Sequence, residues 1–397
     1  FASQGQRNTP PFRISSHFPR TMIACRVFAA TGVPTQSGCM IPGVRNLSSI
    51  LYSKTSLTRA LSTMTTKKLI FAKHFDGEPK PSDFKLVEEK IPPLKNGEVQ
   101  FEALFISVDP YMRPVSVGKP LGQKMFGAQV ARVVESKHPN YKKGDNVVGY
   151  MGWETHPICN PDTLESPFGA HEKPLVLPDF KNLPLSLALG VLGMPGNTAY
   201  FGLTELCQPK SGETVCISGA AGAVGSLVGQ IAKNLGCKVV GIANKKEKLD
   251  WLKSLGFDVV IDYKEEDVDK KLSEKVPQGI DCYFDNVGGE MSSTVLSHMN
   301  MFGRVAVCGA IAGYNAKTPP LAPMVQSAIV MNQLKLEGFF VQRWLGRWNE
   351  GILKNMGWVK EGKLKFREFV TEGFEKLPEA LIGTMRGDAV GKALVKV

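Results

Sequence analysis

The chain has 397 residues, 43% hydrophobic and 21% charged, the balance of an ordinary water-soluble globular protein. It is long enough for two or three domains and for a core without covalent staples. No apolar run approaches the roughly eighteen residues of a membrane span. The net charge of +11 would suit a nucleic-acid binder, but residues 1–63 hold six Arg, one Lys and no acid, which leaves only +4 for the body from Met64 onward. No basic stripe interleaved with aromatics accompanies that charge, so neither nucleic acid nor membrane is expected as a partner.

Residues 1–63 form an Arg- and Ser-rich leader whose segment VRNLSSILYSKTSLTRALST (44–63) reads as a basic amphipathic helix. That is the composition of a mitochondrial transit peptide. An equally open reading is upstream sequence before an independent start at Met64, since the chain begins with Phe. Either way the leader is expected to be disordered. The body is expected in the cytoplasm, or in the mitochondrion if the leader is a genuine transit peptide.

From 64 to 187 the chain alternates short apolar runs with turn signals, as in EVQFEALFISV (98–108), AQVARVVES (128–136) and GDNVVGY (144–150). Such spacing predicts a barrel-like β unit. From 188 to 334 the texture changes. Strand-like runs TVCISG (214–219), KVVGIA (238–243), DVVIDY (258–263), DCYFDNV (281–287) and GRVAVCGA (303–310) alternate with helical stretches. That alternation predicts a doubly wound parallel sheet, so the fold class is α/β with a β-barrel-type companion. Residues 335–397 turn back to β texture and are expected to return to the first unit.

The first of those runs carries the clearest chemistry. After it, Gly219, Gly222 and Gly225 follow at three-residue spacing and open a helix. Glycines there allow a tight turn and close approach of a pyrophosphate, which then sits on free N–H groups at the positive end of the helix. The spacing departs from the usual G-x-G-x-x-G, but the strand–turn–helix context is the required one. A purely structural turn is the alternative.

The second run decides which dinucleotide is expected. Where an NAD protein places an acid at the end of this strand, the chain has Asn244, followed by Lys245, Lys246 and Lys248. The missing acid and the nearby ammonium groups favour a 2′-phosphate, hence NADPH. A solvated lysine-rich helix start is the plainer explanation of the lysines.

Eight cysteines (Cys25, Cys39, Cys159, Cys207, Cys216, Cys237, Cys282 and Cys308) contain no C-x-x-C pair, and six histidines contain no ligand-type pair. Reduced thiols and no metal site are therefore expected. Without a Lewis acid an unactivated alcohol is hard to oxidise, whereas a conjugated enone accepts hydride and leaves only an enolate to stabilise.

From Lys67 to Val397 the chain resembles the zinc-free medium-chain reductases of the prostaglandin reductase and alkenal/one oxidoreductase type. The segments that carry the resemblance include LKNGEV (94–99), VDPYMR (108–113), SLALGVLGMPGNTAYFGL (186–203), DCYFDNVGGE (281–290), CGAIAGYN (308–315) and FFVQRW (339–344). The resemblance implies a GroES-like β domain beside a Rossmann domain, a homodimer, and reduction of the C=C bond of enones and enals. It also implies that Gly222, Ala223, Val224 and Gly225 hold the pyrophosphate, and that Lys248 and Tyr263 flank the 2′-phosphate. Asn286, the loop Cys308, Gly309, Ala310, Ile311, Ala312, Gly313 and Tyr314, and Phe339, Phe340 and Val341 would face the nicotinamide half. Tyr314 would assist the substrate oxygen, and Tyr111 would line the substrate pocket. One departure is Ala389 in GDAVGK (387–392), where the family commonly has Asn. A quinone reductase on the same fold, or a non-catalytic NADPH-binding protein, are the rival readings.

Overall fold

The computed structural model describes residues 64–169 and 171–397; the leader at 1–63, and with it the transit-peptide reading and Cys25 and Cys39, lies outside them. The chain enters through an antiparallel ribbon of Thr65–Phe71 (β1) and Phe84–Lys90 (β2). Five strands follow: Val99–Ser107 (β3), Gln129–Ser136 (β4), Asn146–Gly149 (β5), Ile158–Cys159 (β6) and Leu175–Val176 (β7). Their alternating apolar side chains bury Val99, Phe101, Ala103, Val130 and Val133, as expected of strands with a covered face.

Helix α1 (Met194–Phe201) leads into the α/β part. Here Thr214–Ser218 (β8), helix Gly225–Asn234 (α2), Lys238–Ala243 (β9), helix Lys246–Ser254 (α3) and Val259–Asp262 (β10) come first. Helix Val268–Lys275 (α4), Ile280–Asp285 (β11), helix Gly289–Ser297 (α5), Met299–Val307 (β12) and Lys335–Gly338 (β13) complete it. All six strands run parallel in the order β10-β9-β8-β11-β12-β13. That is the doubly wound dinucleotide-binding order, whose crevice lies between the first and fourth strands of the unit, here β8 and β11. Strand β8 is buried along its whole length, as the centre of a sheet covered on both faces must be.

The sequence reading places the return to the first unit after residue 334, but β13 still belongs to the parallel sheet. Its residues KLEG lack the β-branched run that marks its neighbours, so periodicity does not reveal it. Beyond it, Trp344 stacks on Phe201 with ring centroids 5.3 Å apart, and helix α6 (Trp348–Lys360) packs on α1. Only then do Glu368–Glu372 (β14) and, after helix α7 (Leu377–Met385), Lys392–Lys396 (β15) add to the β3 edge, giving β14-β15-β3-β4-β5-β7.

Candidate active site at the carboxyl edge of the parallel sheet

The phosphate loop is built by close backbone contact. A Cβ at Gly225 would lie 2.5 Å from the Gly219 carbonyl and 2.8 Å from the Ala220 Cα, whereas one at Gly222 would meet only the Gly219 carbonyl, at 3.4 Å. Gly225 thus seats the helix on the strand, and Gly222 leaves a shallow concavity. Among the described residues the N–H groups of Ala223 and Val224 donate to no carbonyl, leaving donors at the start of α2.

Beside the loop, Asp285 at the end of β11 organises the crevice. Its buried Oδ1 accepts from Ser218 Oγ (3.1 Å), Tyr283 Oη (2.9 Å) and the N–H groups of Val287 and Gly288 (3.0 Å each). Ser292 Oγ donates to the other oxygen, and the Asp285 carbonyl receives Cys308 N–H at 2.8 Å and Gly309 N–H at 3.1 Å. The Asp285 side chain thereby ties β8 to the turn after β11, and its backbone carbonyl anchors the 308–314 loop. Asn286 Nδ2 donates to the Ser218 carbonyl at 2.7 Å, and the Asn286 carbonyl receives Ile311 N–H at 3.3 Å. The sequence points to Asn286 and not to Asp285, because Ser218 at the end of β8 and Ser292 in α5 meet Asp285 only in the folded chain.

In the 308–314 loop the Ala310 N–H donates to the Tyr314 hydroxyl at 3.2 Å. The hydroxyl oxygen is engaged as an acceptor while its proton has no acceptor among the described residues, an arrangement suited to donating outward. Burial raises the Tyr314 pKa above its usual value of 10.0, so the proton stays on at neutral pH. Burial, and then Asp285, push the neighbouring Cys308 thiol up to about 12, which makes a thiolate nucleophile there unfavourable.

Tyr111 belongs to an aromatic wall. Its ring is 6.4 Å from Phe126 and 5.3 Å from Phe168, and Phe168 is 5.6 Å from Phe340. Phe168, not anticipated from the sequence, thus joins the β-rich part to the segment after β13. The buried Tyr111 hydroxyl has no hydrogen-bond partner among the described residues, and burial, with Tyr150, Asp109 and Glu172 nearby, holds its pKa well above the usual range. Phe340 is exposed, Val341 is buried, and the Phe339 ring packs inward on Phe284 and Trp344, leaving only its backbone toward the crevice.

Two further residues support this wall. Lys392 and Asp109, both nearly fully buried, pair at 3.0 Å, and Lys392 Nζ also donates to the carbonyls of Val108 and Ala393. Asp109 additionally receives Ser107 Oγ. The pair ties β15 to the turn that carries Tyr111, a link between positions 283 apart in sequence that no local pattern could announce. Past β9, Lys248 in the first turn of α3 is buried, and Tyr263, just past the end of β10, is 40% exposed. Phosphate loop, 308–314 loop and lysine corner therefore follow the carboxyl edge of the parallel sheet, and the Phe168–Phe340 contact joins the aromatic wall to the segment after β13.

Fold and crevice define a two-part oxidoreductase of the medium-chain type, with a GroES-like β domain and a Rossmann sheet. Family models described as "N-terminal domain of oxidoreductase" and "Zinc-binding dehydrogenase" match residues 67–166 and 223–357. The chain is 50% identical to prostaglandin reductase 1 of Bos taurus over 334 residues, 83% of this chain and 98% of that one. It is 40% identical to the NADP(+)-dependent 2-alkenal reductase of Nicotiana tabacum, covering 84% of this chain and 98% of the relative. The crystal structure of CurA from Vibrio vulnificus in complex with NADPH superposes with a TM-score of 0.76 at 35% identity, over 83% of this chain and 99% of the other. The chain belongs to the prostaglandin reductase group of the medium-chain oxidoreductases.

Proposed function

We propose that the chain is an NADPH-dependent reductase of the C=C bond of α,β-unsaturated ketones and aldehydes, acting on 15-oxoprostaglandin- and 2-alkenal-type substrates. The residues present fit the cofactor. Gly222 leaves room for a phosphate that a Cβ would fill, Ala223 and Val224 offer N–H groups, and Lys248 and Tyr263 would flank the 2′-phosphate. Asn286, the backbone of 308–314 and that of 339–341 would face the nicotinamide half. Bound NADPH supplies the hydride that the substrate β-carbon accepts.

The observation that carries the reading is the Tyr314 hydroxyl, held by Ala310 N–H with its own proton free. That proton is positioned to stabilise the developing enolate oxygen, and the raised pKa keeps it in place. The wall of Tyr111, Phe126, Phe168 and Phe340 shields the reacting carbons from water, and Tyr111 offers a substrate an unpaired hydroxyl. A zinc-free mechanism is part of the proposal; it is supported by the lack, among the described residues, of any group of three His, Cys, Asp or Glu side chains able to hold a metal ion.

We further infer a homodimer, a role in lipid metabolism, and a reducing compartment such as the cytoplasm. The last is supported by six free cysteines among the described residues.

The test follows loss of reduced-nicotinamide absorbance with a 2-alkenal, a 15-oxoprostaglandin and a quinone. Turnover of the first two with NADPH, and little with NADH, is the expected result; activity on the quinone alone would replace the reading with a quinone reductase. NADPH binding without turnover of any of the three would leave a binding protein. Tyr314→Phe is expected to lower kcat by about 100-fold or more while NADPH affinity stays within about twofold. Unchanged kcat would remove Tyr314 from the chemistry.

A further inference from the structure

The lysines at the end of β9 already hold partners, and both partners come from one distant turn. Lys248 Nζ donates to the Gly387 carbonyl at 2.7 Å, and Lys245 Nζ lies 2.7 Å from Asp388 Oδ1. That turn is fixed from several directions. Arg386 forks onto Glu78 at 2.9 and 2.7 Å, Asp388 N–H donates to the Gly383 carbonyl at 2.8 Å, and Gly391 N–H donates to the Ala221 carbonyl in the phosphate loop at 2.9 Å. Gly387 has φ +74°, and a Cβ there would lie 3.3 Å from Lys248 Nζ.

Lys245 itself is unusual. It stands at φ +67° and ψ 130°, a backbone conformation that residues with side chains rarely adopt and that persists only where the surroundings impose it. It precedes α3 and projects toward Asp388 while remaining close to its neighbours. Burial first, and then the Lys245 charge, hold Lys248 below the usual lysine range, and the same charge opposes the burial-driven rise at Tyr263. Lys245, Lys248 and the Tyr263 hydroxyl therefore form one cationic corner. Its only carboxylate within salt-bridge distance, among the described residues, is Asp388.

We propose that Asp388 is an internal stand-in for the 2′-phosphate: it occupies Lys245 in the cofactor-free protein and gives way to the phosphate on binding, so that Lys245 favours NADPH over NADH while Asp388 tempers that preference. The proposal rests on the cofactor reading above. NAD-binding folds of this kind keep an acid at the end of the second strand; this chain has Asn244 there and brings its acid from a turn 143 residues beyond Lys245. The turn stays fixed, but the half-exposed Asp388 side chain can rotate away from Lys245 into solvent. Both side chains are about half exposed, and pairs of that kind are weak. A phosphate, with more charge and more acceptor oxygens, displaces such a carboxylate readily. NADH carries nothing that could compensate Lys245, so it gains nothing from the exchange.

The test is calorimetric binding to the full chain of NADPH, NADH, 2′,5′-ADP and 5′-AMP, for wild type, Asp388→Asn and Lys245→Ala, each checked for an unchanged melting temperature. Asp388→Asn removes the competing anion and is expected to tighten NADPH and 2′,5′-ADP by about two- to fivefold, with NADH and 5′-AMP unchanged. Lys245→Ala is expected to weaken the two phosphorylated probes by about tenfold and to spare the others. If Asp388→Asn leaves 2′,5′-ADP affinity unchanged, or weakens it, the stand-in role is overturned while the cofactor reading survives. Selective weakening of NADH by the same substitution would make Asp388 a ribose ligand and also overturn it. If wild type binds 2′,5′-ADP no better than 5′-AMP, the cofactor reading falls, and the proposal with it.

Discussion

At Glu172 the fold holds a carboxylate it does not fully solvate. One of its oxygens is buried with no hydrogen-bond partner among the described residues, and the residue stands beside the Tyr111–Tyr150 wall. Burial raises its pKa above the ordinary glutamate value of 4.5, with Ser166 opposing the rise. The folded chain therefore keeps a proton that the unfolded chain has already released. By linkage, stability falls as pH rises from 4.5 through the folded value, and it stays reduced above that. Glu172→Gln abolishes this loss. The variant is expected to match wild type near pH 4 and to melt on the order of 1–3 °C higher at neutral pH. Melting curves across that range decide it: a gap of constant size at every pH would show that titration is not the cause.

The strand–loop–helix unit of β8 and α2 separates stability from binding at two glycines of one turn. Ala at Gly225 would press its Cβ to within 3 Å of backbone atoms of Gly219 and Ala220, at the end of a strand buried throughout, where nothing can move aside. Gly225→Ala is therefore expected to cost about 1–3 kcal/mol in urea unfolding. Gly222→Ala makes only an ordinary contact, so it is expected to unfold like wild type and to lose NADPH affinity, because its methyl fills the concavity. Equal stability of the two variants would contradict this division of labour. This unit was legible in the sequence because its chemistry is local: a strand, three glycines and a helix lie within about twenty residues. So were β3 and β4, whose apolar residues recur along each strand, and β9 and β15, which hold apolar runs behind a leading lysine. β13 was not, being four residues with charged side chains. Asp285, the Lys392–Asp109 pair, Phe168 and Asp388 were also hidden, since each acts through a neighbour that only the folded chain supplies. Tyr314 and Tyr111 were found through motifs, but the proton left free on one and the unpaired hydroxyl of the other are properties of their folded surroundings.

For the molecule as a whole, the parallel sheet ends in two edges, β10 and β13, and the second is bordered by apolar surface. Phe302, Met301, Val330 and Met331 are each more than half exposed, and the helix Gln326–Met331 that carries the last two has no buried residue. Phe302 also holds φ +63°, with its N–H donating to the Asn332 carbonyl at 2.7 Å, so an irregular point within β12 keeps that ring at the surface. An open strand edge beside such a patch is a hazard in a monomer and an interface in an oligomer. A second copy related by a twofold axis would cover both at once, since each copy presents the same patch to the other. Light scattering coupled to gel filtration is expected to give twice the monomer mass for wild type. The double variant Phe302→Asp with Val330→Asp buries no charge in the monomer, where both positions are exposed, but places like charges across the proposed interface, so it is expected to elute as a monomer with an unchanged circular dichroism spectrum. A wild-type chain that is monomeric at every concentration tested would leave this edge without a partner copy, and a double variant that remains dimeric would move the interface to the β10 edge.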